Sequence, residues 1–437
     1  MTKRFYIQLL ALITLLCYPS NISADDYSLA PSTGRKVYVP IGAESAKGQL
    51  LVTNYGRTPV QNFTYKLSFQ GTVLYEKKYV MKEPLRRMDV GTIAIDVPPD
   101  TKLSKTELQI EITKVNGEAN TATFPYANLP RITVTQVAHR RIVVEEYTGM
   151  WCQYCPRGIA LMKNLERNYP ENFIGIAIHI TDPLTCSDYA WNAAAIQRYP
   201  TLQMNRSRLL SNFTAVTEFE EEMAMGADMD VDVTAQWDKA KENVTITPRV
   251  TFRTTPQDKP YAIAYVLTED GKANTAWVQN NHYSGDTGLL GISTELDQFI
   301  NSPRALRGYP NDFTAVAARG VYNPGEEYLI KNPIEIDKPQ SFNQVFNVSQ
   351  IRLLHDKTKL KVCVLLINTA NGQIENAAKC SITDADPAGI SPVKEGQNTA
   401  VEVARYTLDG RRLHGPQRGI NLVKYSNGRV CKEVVSH

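Results

Sequence analysis

The feature that most constrains this chain is the run Trp151-Cys152-Gln153-Tyr154-Cys155-Pro156, set between a stretch that reads as a strand and one that reads as a helix. Arg141 to Tyr147 is rich in β-branched and apolar residues, whereas Pro156 to Tyr169 places Ile159, Leu161, Met162 and Leu165 at helical spacing. Phe173 to His179 is a continuous apolar run of the kind a buried strand carries. Strand, helix and strand in that order imply a parallel crossover. A helix beginning near Gln153 puts Cys152 at its N-terminus, where unpaired amides and the helix dipole favour the thiolate, the attacking species in disulfide exchange. Cys155, one turn on, is placed to resolve a mixed disulfide. Pro156 falls early in the helix, where a missing N–H costs least.

Cys-x-x-Cys spacing is shared by zinc sites and structural bridges, so the surroundings decide. No second such pair and no nearby histidine cluster supplies the other ligands of a zinc site, so no metal is expected. At three places the residues resemble the thioredoxin superfamily. Trp151 precedes the first cysteine; Glu146 lies six residues before Cys152, where that family keeps a buried acid that relays a proton to the second thiol; and Tyr199-Pro200-Thr201-Leu202 resembles its cis-proline segment. The resemblance implies a thioredoxin-like fold over 136–228, with Cys152, Cys155 and Glu146 catalytic and Trp151, Tyr199 and Pro200 meeting the substrate backbone. The chain departs from the family's usual Gly-Pro dipeptide with Gln153-Tyr154, which leaves the direction of electron transfer open. A static staple at the helix start remains the other reading of the pair. Arg157 reads as a solvated surface residue, His179 as a satisfied strand-end residue and Cys186 as a buried thiol without an obvious partner.

Compartment follows from the first residues. Lys3 and Arg4 precede an apolar run from Phe5 to Tyr18, and Ile22-Ser23-Ala24 ends in the small residue that a signal peptidase needs, so 1–24 reads as a cleaved secretory signal. Export places the remaining cysteines in an oxidising environment, where pairs are expected as disulfides. A net charge of +3 over 437 residues gives no concentrated basic face and so no reason to expect nucleic acid.

The flanks are β-rich. Residues 25–135 alternate short β runs with turn residues, as an immunoglobulin-like β-sandwich does. The same texture returns from 229 to 385 and suggests a second sandwich, interrupted by a long irregular stretch from Asn274 to Gly320. Asn371-Gly372 is a type I′ hairpin signal. With those two as the loop, facing residues have numbers summing to 743, which pairs Cys363 with Cys380 at a separation that permits a structural disulfide. Asp384 to Pro392 is a linker by composition, and 386–437 ends in a small β unit.

Two wider resemblances follow. The run Tyr147-Thr148-Gly149-Met150-Trp151-Cys152-Gln153-Tyr154-Cys155-Pro156-Arg157-Gly158, with Tyr199-Pro200 and Val266-Leu267-Thr268-Glu269-Asp270-Gly271, resembles the outer-membrane-protein-28-related family over roughly 140–385. That implies a surface or outer-membrane location and a thioredoxin-like core. Tyr406 to Leu413, Gly419 to Lys424 and Arg429 to Val434 resemble a type IX secretion sorting domain, which implies translocation across the outer membrane. The leading expectation is an exported thiol–disulfide oxidoreductase needing no metal or organic cofactor, whose partners are protein thiols, disulfides or a redox protein. The alternative is a surface binding protein, peripheral to the outer membrane, in which the thioredoxin-like unit is a spacer and the sandwiches meet a ligand.

Overall fold

The structure, a computed structural model, describes residues 26–32, 34–190, 196–256, 261–322, 324–385, 402–407, 411–413, 415–425 and 430–435. The signal at 1–24, the linker beyond 385 and the turns at 408–410 and 427–428 lie outside the described residues. The chain is mainly β, in several sheets, and divides into two compact units, Met1–Asp384 and Ala385–His437.

In the first unit, Leu29–Pro31, Ala46–Asn54 and Val90–Val97 form a three-stranded sheet, and six strands between Val37 and Val134 form another. Strand alternation turns Leu50, Val52, Ile93 and Ile95 of the first sheet towards Phe63, Leu67, Leu108, Ile110 and Leu129 of the second, and these share one core. The edge strand Thr72–Leu85 keeps Lys77, Lys78 and Lys82 among its largely exposed residues, a composition that discourages pairing with another chain.

Residues 142–381 build an eight-stranded sheet. Its strands are β1 (Ile142–Thr148), β2 (Phe173–His179), β3 (Thr201–Met204), β4 (Arg208–Leu210), β5 (Tyr261–Glu269), β6 (Thr314–Arg319), β7 (Leu360–Asn368) and β8 (Ile374–Ser381), in the order β4-β3-β1-β2-β6-β5-β7-β8. Helix α1 (Pro156–Asn168) connects β1 to its parallel neighbour β2, and helix α2 (Val216–Met225) follows β4. β3 runs antiparallel to β1, and β4 antiparallel to β3. β2 and β6 meet in parallel at one register pair, Ala177 with Thr314.

One face of this sheet is a single apolar layer across its width, from Val143 and Tyr147 through Ile174, Ile176 and Ile178 to Val266, Cys363 and Leu365. The opposite face is shared. Over β1–β4 it is covered by Leu161, Met162 and Leu165 of α1 and Phe219 of α2. Over β5–β8 it is covered by a second sheet, Met229–Trp237, Asn243–Phe252, Gln340–Ser341 and Gln344–Asn347. The stretch 229–385 is therefore not a sandwich apart from 136–228: its central strands complete the sheet that β1 begins. All nine residues of β5 are buried, and such a continuous apolar run carries no mark of which sheet it will enter.

The expected Cys363–Cys380 bridge is corrected. Both thiols are free, and Cys363 opposes Lys379 while Cys380 opposes Val362. Asn371 lacks the positive φ that a type I′ turn needs at that position; only Gly372 has it, at +73°. The strands are instead closed by the Asn368 amide donating to the Gln373 carbonyl, and a bulge follows between Leu366 and Ile367. The resulting one-residue slip sends Cys363 into the full-width apolar layer and Cys380 towards the second sheet, on opposite faces.

The second unit is a four-stranded sheet, Arg412–Leu413, Glu402–Tyr406, Gly419–Tyr425 and Val430–Val435. Val423 is buried, and Arg405 is ion-paired to Glu402 and Glu433.

Candidate functional site

Cys152 and Cys155 are joined by a disulfide. The turn that carries them follows β1, with the Cys152 amide donating to the Gly149 carbonyl at 3.0 Å. α1 begins at Pro156, with Cys155 at its N-cap, so the helix starts three residues later than the sequence suggested. Cys152 thus sits on the turn that leads into the helix, and Pro156 occupies the first helical position, where its fixed φ and missing N–H suit the backbone. Cys155 has no exposed surface and Cys152 is 5% exposed, whereas Trp151 and Tyr154 are 46% and 44% exposed. The indole of Trp151 folds back over Gly149 and donates to the Ile180 carbonyl at 2.7 Å.

β1 presents its two carboxylates to opposite faces. Glu145 points into the full-width layer, where Arg206 grips it with Nε and Nη2 and the Tyr189 hydroxyl donates to it. Glu146 points under the first turn of α1: a Cβ on Gly158 would lie 2.2 Å from its Oε1. It is 1% exposed, and Oε1 has no hydrogen-bond partner among the described residues. Burial pushes its carboxyl up to about 8, against the weaker downward pull of the Thr148 hydroxyl and the Arg157 guanidinium. The site thus holds a protonatable acid of near-neutral pKa behind the turn of the disulfide. Arg157 itself donates to the Ser211 and Asn212 carbonyls, at 2.7 and 2.9 Å.

His179, buried at the end of β2, bonds through Nδ1 to Asp182 at 2.8 Å, and Asp182 in turn accepts from the Met150 amide at 2.9 Å. Its place is to steady the cysteine turn. The Tyr199–Pro200 peptide bond is cis and leads directly into β3. Tyr199 stands edge-on to Trp151, ring centres 5.2 Å apart. Trp151, Tyr154 and Tyr199 wall a cleft of ≈ 450 Å³ that opens beside Cys152 and is also lined by Arg198 and Arg304. The candidate residues Cys152, Cys155, Trp151 and Tyr199 are thus gathered at one place, Pro200 adjoins them and Glu146 lies behind. Cys186 is free and buried elsewhere, its thiol pushed up to about 11 by burial and by Asp188. Among the described residues no cluster of histidine, cysteine, aspartate and glutamate could hold a metal ion.

Sequence reasoning missed a second layer. The insert between β5 and β6 includes a two-stranded ribbon, Val278–Asn280 with Ala305–Arg307, and helix α3 (Thr294–Ile300). From it, four donors satisfy four consecutive carbonyls of the cysteine turn. The Asn280 amide bonds Met150 at 2.9 Å, Asn280 Nδ2 bonds Trp151 at 2.9 Å, Gln279 Nε2 bonds Cys152 at 3.1 Å and the His282 amide bonds Gln153 at 2.8 Å. The insert is fixed to α1 by Glu295, which accepts from Asn164 at 3.0 Å and Arg167 at 2.6 Å. The polar-aromatic cluster Gln279-Asn280-Asn281-His282-Tyr283 is the only mark of this role in the sequence, and a weak one.

The sequence matches no protein-family model and no curated protein. Among solved structures, HBP35 of Porphyromonas gingivalis is similar at 14% identity with a TM-score of 0.39, covering 68% of this chain and 98% of its own. A protein from Agrobacterium tumefaciens is similar at 14% identity and a TM-score of 0.34, covering 59% of this chain and 99% of its own. A domain of the outer membrane lipoprotein Omp28 from Porphyromonas gingivalis follows at 8% identity and a TM-score of 0.20, covering 37% of this chain and 92% of its own. Likenesses this distant assign neither fold nor activity to this chain.

Proposed function

We propose that this protein is a thiol–disulfide exchange protein of the cell envelope, exported by its N-terminal signal, with β1–α1–β2 and β3–β4–α2 forming a thioredoxin-type unit. The order β4-β3-β1-β2, with a helix after β1 and another after β4, supports that reading. The observation that carries the function is Glu146. A bridge that merely stapled a helix start would gain nothing from an acid buried behind it with Oε1 unpartnered, since such burial costs stability and is the kind of environment that tunes an acid for proton transfer.

In the exchange, a substrate thiolate attacks the Cys152 sulfur and the Cys155 thiolate leaves, taking a proton from Glu146. A second substrate thiolate then attacks the substrate sulfur of the mixed disulfide and displaces Cys152. Two substrate thiolates are oxidised to a disulfide while the 152–155 bridge is reduced to a Cys155 thiol and a Cys152 thiolate, Glu146 regaining its proton from solvent, and the reverse reaction runs through the same steps. Tyr199 and Pro200 would flank the incoming chain. Titration of the 152–155 couple against glutathione, with Cys152→Ser compared in oxidative refolding, tests the reading. A bridge in equilibrium with glutathione and an inactive variant are expected. A bridge that stays oxidised below about −300 mV, with both proteins equally inert, leaves only a staple.

A second reading has one observation in its favour: the insert ties down carbonyls 150–153 and leaves Cys152 5% exposed. On that reading the cleft binds a surface ligand and the bridge is permanent. Translocation across the outer membrane by the sorting-type unit at 386–437 would serve either function.

A further inference from the structure

Beside Cys152, the cleft is lined by ten residues of which two are arginines and none is an acid. Arg198 comes from the segment before Pro200, and Arg304 from the insert, next to the Ala305–Arg307 strand. Both are exposed, and neither guanidinium has an ion-pair or hydrogen-bond partner among the described residues. Elsewhere in this molecule Arg140, Arg167, Arg206, Arg208, Arg253 and Arg405 are occupied by carboxylates, whereas the guanidiniums of Arg198 and Arg304 stay open beside the cleft. The remaining polar lining, Gln153, Gln197, Asn280 and Asn281, is neutral. Asn280 is spent on the turn carbonyls and Asn281 on the Phe299 and Pro303 carbonyls. The cleft therefore offers a reacting partner two planar cations, aromatic walls and a disulfide, and no negative charge that would repel an anion. A guanidinium suits a carboxylate because its paired N–H groups match the two oxygens. Positive charge concentrated at a cleft also raises the encounter rate of anionic partners.

Resting on the exchange reading, we infer that the cleft selects thiols flanked by carboxylates, with Arg198 and Arg304 as the specificity residues. Two sources share that chemistry, an acidic polypeptide segment bearing cysteines and a small carboxylate-bearing thiol. The arginines arise from two separate segments, the one before Pro200 and the insert, which suits a chain laid across the cleft.

The test uses the full-length oxidised protein and follows loss of the 152–155 bridge by quenching and thiol trapping. The reductants are a two-cysteine peptide with glutamate beside each cysteine, the same peptide with glutamine at those positions, glutathione, and the uncharged dithiothreitol. At low salt the glutamate peptide is expected to react about 10-fold faster than the glutamine peptide. That ratio should fall towards one in the Arg198→Gln, Arg304→Gln double variant and, for the wild type, at high salt, where screening shortens the reach of both charges. Glutathione reacting as fast as the glutamate peptide per thiolate would assign the site to small thiols, and a slower reaction would assign it to acidic chains. Equal rates for the two peptides overturn the inference and leave the exchange function standing. A bridge that none of the four reductants opens overturns both. Because the comparison is between peptides on one protein, it does not depend on how either variant folds.

Discussion

Glu145 and Glu146 are neighbours on one strand, both buried, and treated oppositely. Glu145 is held by the Arg206 guanidinium and the Tyr189 hydroxyl in the full-width apolar layer, so its charge is matched where it is buried. Glu146, on the other face, has no ionic partner in contact, and its carboxyl rises to about 8. The difference separates a group that holds the fold from one poised to move a proton: burial is the same, and the partner decides.

The largest effect should come from the paired side. Arg206→Ala leaves a carboxylate buried without its cation and is expected to cost about 3–5 kcal/mol in chemical denaturation, with the exchange rate of the remaining folded protein little changed. A cost near zero would mean that Glu145 is not structural. Glu146→Gln should do the reverse. Exchange with dithiothreitol should slow on the order of 10²-fold, and the inflection near pH 8 should vanish from the rate profile. Stability should rise. A carboxyl whose pKa goes from the unperturbed 4.5 up to about 8 on folding favours the folded state fully below pH 4.5, and that advantage is lost as pH climbs towards 8. The glutamine variant escapes the loss, so its gain over wild type, on the order of 4 kcal/mol, should be large at pH 8 and absent at pH 4. A variant equally fast at all pH values removes Glu146 from the chemistry. Gly158→Ala pushes a methyl against the Glu146 carboxyl and should cost about 1–3 kcal/mol, less in the Glu146→Ala background than alone. The smallest effect is at the thiols expected to be bridged. Cys380→Ala should change stability by under about 1.5 kcal/mol, and the unreduced, denatured protein should yield alkylated Cys363 and Cys380. Recovery of a peptide linking the two would show the slipped register to be wrong.

Much of this site was legible because its signals are local. A β-branched run, a cysteine turn, an early helical proline and an apolar run of strand length each declare themselves within a few residues; β1 and β2 lie where those signals put them, and α1 starts three residues later. Glu146 was placed behind the disulfide only through the resemblance, because alternation along a strand buried on both faces gives no polar side to orient by. The long-range relations were not legible. β5 and β7 read as strands, but nothing in them tells whether they pair with β6 and β8 in a sheet of their own or extend the sheet of β1. The cysteine register failed on one bulge beside the β7–β8 loop, a shift of a single residue that reverses every side chain beyond it. The clamp on carbonyls 150–153 is made largely by backbone amides and side-chain amides of an irregular insert, groups that almost any sequence can supply.

The sheet shared between the halves also bears on how the chain can be cut. A fragment ending at residue 228 would keep both cysteines, Glu146 and Pro200, yet it would strip Ala264, Val266, Cys363 and Leu365 from the layer that shelters Ile174, Ile176 and Ile178, and leave β2 as a naked border. Such a fragment would be sticky, and a protease nick between α2 and β5 would release no autonomous module. The cysteine turn and the strands up to 381 should melt together, as one cooperative block.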